Sequence, residues 1–276
     1  MATVDEVRAY WDQHIHDLEI TTHPVGSRGF FDDLDQYHFE KLHHLLRLVD
    51  FNGYRGKAVL EVGCGAAVDL ARFAKGGAVC TGVDLAQSAI ALAKANFEQQ
   101  GLQADLRVAN GEALPFPDNS FDLVYAHGVV QYTADPQALV NEVRRVLKPG
   151  GLVFVQTHQT FPLHDEPWDF WRISADAWPA LFNAKTGFRI IDSGMAEPLM
   201  FVARRWHPGV NLHESRGCAV SSVIAEKIGD TELSWDVELR DVLGSHDEVA
   251  LVFAVFFVNQ DDHAASGQLG DQLGDG

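Results

Sequence analysis

The run Val59-Leu60-Glu61-Val62-Gly63-Cys64-Gly65, followed about twenty residues later by Val83-Asp84, restricts this chain more than any other stretch. Ala58 to Val62 is a short apolar run ending in glycines, the pattern of a buried parallel strand. Gly63 and Gly65 let the chain turn sharply and let a ligand approach the backbone. Asp69 to Ala74 reads as a helix start, and Val79 to Val83 is a second apolar run ending at Asp84. Strand, glycine turn, helix and a second strand with a terminal acid form a nucleoside site at the carboxyl edge of a sheet, with Asp84 as acceptor for both ribose hydroxyls.

A dinucleotide fingerprint needs a third glycine where this chain has Val68, which weakens a pyrophosphate reading. An acid, Glu61, stands two residues before the first glycine. E-x-G-x-G resembles motif I of the class I S-adenosylmethionine (SAM) methyltransferases, although Ala67 stands where many members have glycine. Ala109-Asn110-Gly111-Glu112-Ala113-Leu114-Pro115-Phe116 resembles the family's adenine loop, with Asn110 in place of the usual Asp. Phe121 to His127 resembles its fourth strand, and Val143 to Gly151 the helix end and turn before the fifth. The set covers roughly residues 55 to 195 and is specific as a set.

The resemblance implies that Glu61 and the amides around Gly63, Cys64 and Gly65 hold the methionine end of SAM. It further implies ribose on Asp84, adenine near Leu85, Asn110, Gly111 and Glu112, and His127 at the rim, with S-adenosylhomocysteine as product. The Asn110 side-chain carbonyl is expected to meet the adenine amine. Leu85, Gly111 and Glu112 are expected to act through apolar contact or backbone groups.

The 276 residues, 46% hydrophobic, suffice for one large domain with a sizeable core. A formal net charge of -18 repels phosphate backbones and anionic headgroups, so nucleic-acid and membrane partners are disfavoured and a small-molecule acceptor fits. Three cysteines without C-x-x-C spacing point to a reducing compartment, and Cys64 reads as a packed thiol rather than a nucleophile. No charged-then-apolar leader opens the chain, and the longest apolar run, Val249 to Val258, is too short to span a bilayer. A cytoplasmic monomer or homodimer is the expectation.

Val4 to Ile20 carries Val7, Trp11, Ile15 and Leu18 at helical spacing, and Leu34 to Asp50 reads as a second helix. Residues 1–55 are expected to form a helical cap that puts Tyr10 and Tyr37 within reach of the ligand. The core then alternates: strands at 58–62, 79–83, 104–108, 121–126, 152–158 and 188–194, with helices at 67–75, 86–100, 135–147 and from Ser174 to Ala184. That alternation predicts an α/β fold, a Rossmann-like doubly wound and mostly parallel seven-stranded sheet spanning residues 56–260, with a C-terminal extension. Met200 to Arg204, Val220 to Ile228 and Val249 to Val258 compete for the antiparallel seventh strand. The last has the strongest buried-strand composition, which makes 205–248 an insertion or lid. Residues 261–276 read as a disordered acidic tail, with Gln268-Leu269-Gly270-Asp271 repeated as Gln272-Leu273-Gly274-Asp275.

Methyl transfer from a sulfonium is an in-line displacement that needs distance, angle and sometimes a base. His127 ends strand four at the right edge, where it either bonds a neighbouring loop, lines the methionine pocket or acts in catalysis. Tyr132 either walls the acceptor pocket or packs on a helix. After strand five, His158 to Arg172 is similar to an H-E-x-P-[FYW]-D-[FYW]-[FYW]-R segment of a methyltransferase subgroup, many members of which lie among genes for glycan or natural-product assembly. In one reading Asp169 pairs with Arg172 and the loop is only rigid. In the other, His164 or Glu166 takes the acceptor's proton and Trp168 or Trp171 walls an aromatic or apolar substrate, with His158 a further substrate contact; the acceptor is expected to be natural-product or sugar-like. Thirteen histidines invite a metal, but no H-E-x-x-H or Cys/His cluster is present and none is expected. Oxygen, nitrogen and carbon acceptors remain open. The rivals are an NAD-dependent oxidoreductase and a catalytically degenerate fold that senses SAM or serves as a scaffold.

Overall fold

The computed structural model describes residues 4–15, 17–160, 165, 168, 170–200, 216–229 and 234–235. His164, Glu166, Val249 to Val258, the segment 261–276 and most of 205–248 lie outside them.

Three helices precede the sheet: α1 (Val4–Trp11), α2 (Arg28–Lys41) and α3 (Leu45–Leu48). The first is shorter than its periodicity predicts, and Asp17 beyond it takes a positive φ of 60°. The second starts earlier than predicted because Ser27, read as loop, is its N-cap and accepts from the Phe30 amide at 3.2 Å. The core follows as β1 (Ala58–Val62), α4 (Val68–Lys75), β2 (Val79–Asp84), α5 (Gln87–Gln100), β3 (Asp105–Val108), β4 (Phe121–His127), α6 (Pro136–Val146) and β5 (Leu147–His158). The chain ends its described part with α7 (Trp178–Leu181), β6 (Phe188–Met200) and β7 (Arg216–Lys227).

The seven strands form one sheet in the order β3-β2-β1-β4-β5-β7-β6. The pairs among the first five are parallel, and β7 runs antiparallel between β5 and β6. This is the α/β doubly wound arrangement that the alternation predicts. The strand order reverses at β1, between β2 and β4, which opens a crevice beyond the carboxyl ends of these strands.

Both faces of the sheet are buried, each by alternate residues of the same strands. Leu60, Val62, Val124 and Val153 pack with α6, Trp178 and Phe182. Val59, Leu123, Tyr125 and Phe154 pack with α4, α5 and the cap residues Phe39 and Leu45. Period-two alternation explains why the strands read as unbroken apolar runs. A third cluster, Phe30, Phe31, Leu34 and Leu92, fastens α2 to α5.

Three expectations change. Of the three competing stretches, the Val220 stretch takes the place between β5 and β6, so residues 216–227 belong to the sheet rather than to an insertion. Its small residues are what the place requires: Ser221, Val223 and Ala225 are buried between two strands, and the Ser221 hydroxyl bonds the Ile173 carbonyl. Strand five begins at Leu147, before the Gly150-Gly151 turn, with an irregularity in its pairing between Phe121 and Leu123. The helix expected from Ser174 to Ala184 is instead a 3₁₀ turn at Ala175–Ala177, the single turn α7 and a second 3₁₀ turn at Ala184–Thr186. Asn183 explains the interruption: its side chain accepts from the Lys185 and Thr186 amides and starts a new turn.

Candidate active site

At the reversal point lies a cavity of about 460 Å³, within the range that holds nucleoside-sized ligands. The glycine loop forms its floor. Gly63 has φ 66° and no room for a side chain, since a Cβ there would meet the Val129 side chain at 2.4 Å. Gly65, φ 51°, has nothing within 4 Å of a Cβ position. Ala67 sits in the left-handed region at φ 57° as the residue before α4, which is why glycine suits this position. The Asn96 amide compensates by donating to the Ala66 carbonyl at 2.7 Å.

Glu61 is 4% exposed near the end of β1, and its Oε2 is buried without a hydrogen-bond partner among the described residues. Burial, then the nearby Asp69 and Asp84 carboxylates, push its pKa well above the usual range, against the Leu70 amide. A buried acid in this state favours an arriving cation. Asp84 ends β2 and uses both oxygens on the floor: Oδ2 accepts from the Gly65 amide and Oδ1 from the Ala86 amide, each at 2.9 Å. Burial still raises its pKa over what those amides would set. Cys64 is buried, and burial beside Asp84 and Glu61 pushes its thiol up, consistent with packing rather than nucleophilic use.

The loop after β3 forms one wall. Gly111 is pressed against Val62, whose Cγ1 would lie 2.8 Å from a Cβ. The Asn110 carbonyl, expected to face adenine, already accepts from the Glu112 amide at 3.0 Å. The Glu112 side chain turns to structure: it accepts from the Thr133 hydroxyl at 2.6 Å and the Asp135 amide at 3.0 Å. That pair ties the wall to the start of α6.

Of the residues singled out in the sequence, Glu61, Gly63, Cys64, Gly65, Asp84, Leu85, Asn110, Gly111, Glu112, His127, Tyr132 and His158 all line the cavity. Tyr37 does not; it is 37% exposed, under the Lys41 ammonium at 5.3 Å. It directly precedes His38 on α2, and adjacent helix residues point in different directions, so it faces outward while His38 faces the cavity. Trp171 is a core residue rather than a pocket wall, with its indole N–H donating to the Thr133 carbonyl at 2.8 Å. Trp168 packs near Tyr10, with ring centroids 6.0 Å apart, and is not among the lining residues.

The structure adds a polar cluster that sequence reading passed over. Asp69, in the first turn of α4, is 4% exposed. Its Oδ1 accepts from His38 Nε2 at 3.1 Å, and its Oδ2 from His127 Nδ1 at 3.1 Å and the Tyr125 hydroxyl at 3.2 Å. His127 Nε2 in turn faces the Gln156 amide nitrogen at 3.0 Å, Gln156 Oε1 faces His44 Nε2 at 2.9 Å, and His44 Nδ1 reaches Glu197 at 2.9 Å. Burial alone would raise Asp69, but the His38 charge and the two imidazole hydrogen bonds hold it well below the usual carboxylate range. Burial lowers His127 despite Asp69. In His38 the opposite balance holds: burial pulls the pKa down, and the Asp69 charge and hydrogen bond outweigh it. Although no metal is expected from the sequence, the donor atoms of His38, Asp69 and His127 lie within 4.8 Å of one another, so this trio among the described residues could reach a common ion. The available signal was the face of α2: Leu34, His38, Lys41 and Leu42 all line the cavity at helical spacing.

The fold and the glycine floor define a Rossmann-like methyltransferase core, and comparison with known proteins agrees. A family described as a methyltransferase domain matches residues 60–155. The chain is 32% identical over 165 residues to a ubiquinone biosynthesis O-methyltransferase of Bartonella tribocorum, covering 56% of this chain and 67% of that one. It is 36% identical over 103 residues to the Coxiella burnetii protein of the same name, covering 37% and 44%. A SAM-dependent methyltransferase from Aquifex aeolicus superposes with a TM-score of 0.52 at 18% identity, over 71% of this chain and 96% of that one, a likeness of fold alone. The chain belongs to the class I SAM-dependent methyltransferases.

Proposed function

We propose that this enzyme moves the methyl group of SAM to a hydroxyl oxygen of a small, apolar, aromatic-type acceptor. The observation that carries the cofactor half is Glu61 Oε2, a buried carboxylate oxygen on the cavity floor without a partner among the described residues. It fits the α-ammonium of the SAM methionine end, and Gly65 leaves the backbone open beside it. Asp84 would take the ribose with the lone pairs left over from the Gly65 and Ala86 amides. Gly111 and Leu85 would flank adenine, and Asn110 would contribute through backbone groups. SAM supplies an activated methyl group and a neutral leaving group, so the chain's work is to orient, to exclude water and to take up a proton.

Two observations favour a hydroxyl acceptor. The relatives named above are O-methyltransferases, and an imidazole held by a carboxylate faces the same cavity. The roof is mostly apolar, made by Val4, Val7, Trp11 and Ile15 from the α1 side and Leu34 and Leu42 from the α2 side, with His14, Asp17, His38 and Lys41 between them. That lining suits an aromatic or natural-product-like acceptor better than a sugar. Tyr132 and His158 are the candidate acceptor contacts from the sheet edge. His164 and Glu166 lie outside the described residues, and a role for them stays a proposal. No helix among the described residues is long and apolar enough to cross a membrane.

The test is calorimetric titration of the full chain with SAM, S-adenosylhomocysteine and NAD, followed by label transfer from methyl-tritiated SAM to catechol, benzylamine and methyl glucoside. Binding of both adenosyl ligands and labelling of catechol is expected. NAD binding alone would overturn the cofactor assignment, and labelling of benzylamine alone would overturn the acceptor assignment.

A further inference from the structure

We infer that His38 is the general base of the transfer and that Asp69 is its positioning residue. This rests on the hydroxyl-acceptor reading above. A base must lie in the acceptor cavity, hold a lone pair there and be fixed in one tautomer. His38 meets each requirement. It stands on the cap helix α2 and lines the cavity. Its Nε2 is spent on Asp69 Oδ1 at 3.1 Å, and an ionised carboxylate can only accept, so the proton sits on Nε2. Nδ1 then carries the lone pair, and it has no hydrogen-bond partner among the described residues.

The neighbouring imidazole lacks this freedom. His127 Nδ1 is bonded to Asp69 Oδ2 and Nε2 to the Gln156 amide, so both of its nitrogens are engaged. A glutamine amide does not relay a proton readily, which leaves His44 and Glu197 as supports that orient Gln156. Tyr132 is occupied too, because its hydroxyl donates to Asp165 at 3.1 Å. The two imidazoles bond two different oxygens of Asp69 rather than converging on one point. That geometry belongs to a bridging carboxylate in a hydrogen-bond network more than to a set of metal ligands.

The step balances. The His38 Nδ1 lone pair takes the acceptor's O–H proton as the oxygen electrons form the new C–O bond. The C–S bond breaks, its electron pair returns to sulfur, and the positive charge passes from the sulfonium to the imidazolium. Asp69 faces that imidazolium and stabilises it. The other groups around His38 are Asp35 on its own helix, Asp17 from the segment after α1, and His127 from β4. Asp35 is itself paired with Arg72 at 2.8 Å, so Asp69 is the acid that sets the balance.

The first experiment needs no turnover: nitrogen-detected NMR of the full chain labelled in histidine, with and without S-adenosylhomocysteine. Neutral His38 should carry its proton on Nε2, and its titration midpoint should fall in Asp69→Asn. A proton on Nδ1 overturns the assignment, a readout in the wild-type chain that holds whether or not Asp69→Asn folds. The second experiment uses catechol as acceptor. His38→Gln should lose about 100-fold or more in kcat near neutral pH and keep S-adenosylhomocysteine affinity within about threefold, with the loss shrinking at high pH as the phenol ionises by itself. The wild-type profile should rise with pH through the His38 midpoint, and Asp69→Asn should move that rise to lower pH. If catechol is methylated and His38→Gln keeps its rate within about threefold, the base role alone falls. If benzylamine but no hydroxyl is methylated, the acceptor reading falls and takes the base role with it. Activity abolished by EDTA and restored by zinc or manganese would make His38 a ligand and overturn the proposal.

Discussion

Glu61 and Ala67 each hold a cost that a single substitution exposes. The Glu61 carboxyl is raised by burial and by Asp69 and Asp84 while no cation faces it. Bringing in an ammonium should pull that pKa down and release a proton. Titration of SAM in buffers of different ionisation enthalpy should therefore show proton release, absent in Glu61→Gln. The same variant should bind SAM roughly 10- to 100-fold more weakly, the loss expected for a hydrogen bond between charged groups. Ala67 shows the reverse case, a side chain where backbone geometry asks for none. Ala67→Gly should stabilise the fold by about 1 kcal/mol, a rise of about 2–3 °C in Tm by calorimetry. A lower Tm would mean that the buried methyl group outweighs the φ of 57°.

At the scale of elements, one carboxylate ties the first helix to the edge of the sheet. Asp165 accepts from the Tyr10 hydroxyl at 2.8 Å and the Tyr132 hydroxyl at 3.1 Å, joining α1 to the 3₁₀ turn Val130–Tyr132 after β4. Burial and the Asp165 bond push the Tyr10 phenol up to about 12, so the clasp holds over the whole physiological range. Asp165→Ala should speed amide exchange across Val4–Trp11 while leaving the exchange of β1 and β4 unchanged, by hydrogen-exchange mass spectrometry. Unchanged exchange in α1 would show that Val7 and Trp11 hold the helix unaided. This clasp was invisible in sequence because its partners are 155 and 33 residues apart. The seventh strand stayed open in sequence for a related reason. Val249 to Val258 looks more strand-like by itself, yet membership in a sheet depends on what flanks a strand. Between β5 and β6 the place suits Ser221 and Ala225.

Across the whole molecule, the polar cluster joins the cap to the sheet: α2 gives His38, α4 gives Asp69, and β4 gives Tyr125 and His127. Its charge state therefore enters folding stability. The His38 pKa is higher in the folded chain than the unfolded value of about 6.5. Such a group adds stability that is fully present below about pH 6.5 and fades as pH rises through the folded value. The Tm difference between the wild-type chain and His38→Gln should shrink over the interval in which pH rises from about 6.5 through the raised folded value. A difference that grows over that interval would mean His38 is not stabilised as a cation. The net charge of -18 does not depend on this cluster, but it favours the approach of a cationic cofactor over an anionic one.

What the sequence determined by itself was the local code. Apolar runs of strand length, glycines after β1, the acid at the end of β2 and the Asp135-Pro136 start of α6 each depend on neighbours a few residues away, so they specify the alternating core and the floor of the cavity directly. Glu61, Asp84 and Gly111 were legible for that reason. The tertiary structure decided everything that needs distant segments to meet. It turned Trp171 into core and Tyr37 outward, engaged the Asn110 carbonyl within its own loop, and picked the middle of three candidate strands. It also brought His38 from the cap to Asp69 on α4. Nothing in the segment around His38 marks it as chemistry, because a histidine on an amphipathic helix gains its tautomer, its charge and its role only from the carboxylate that the fold sets beside it.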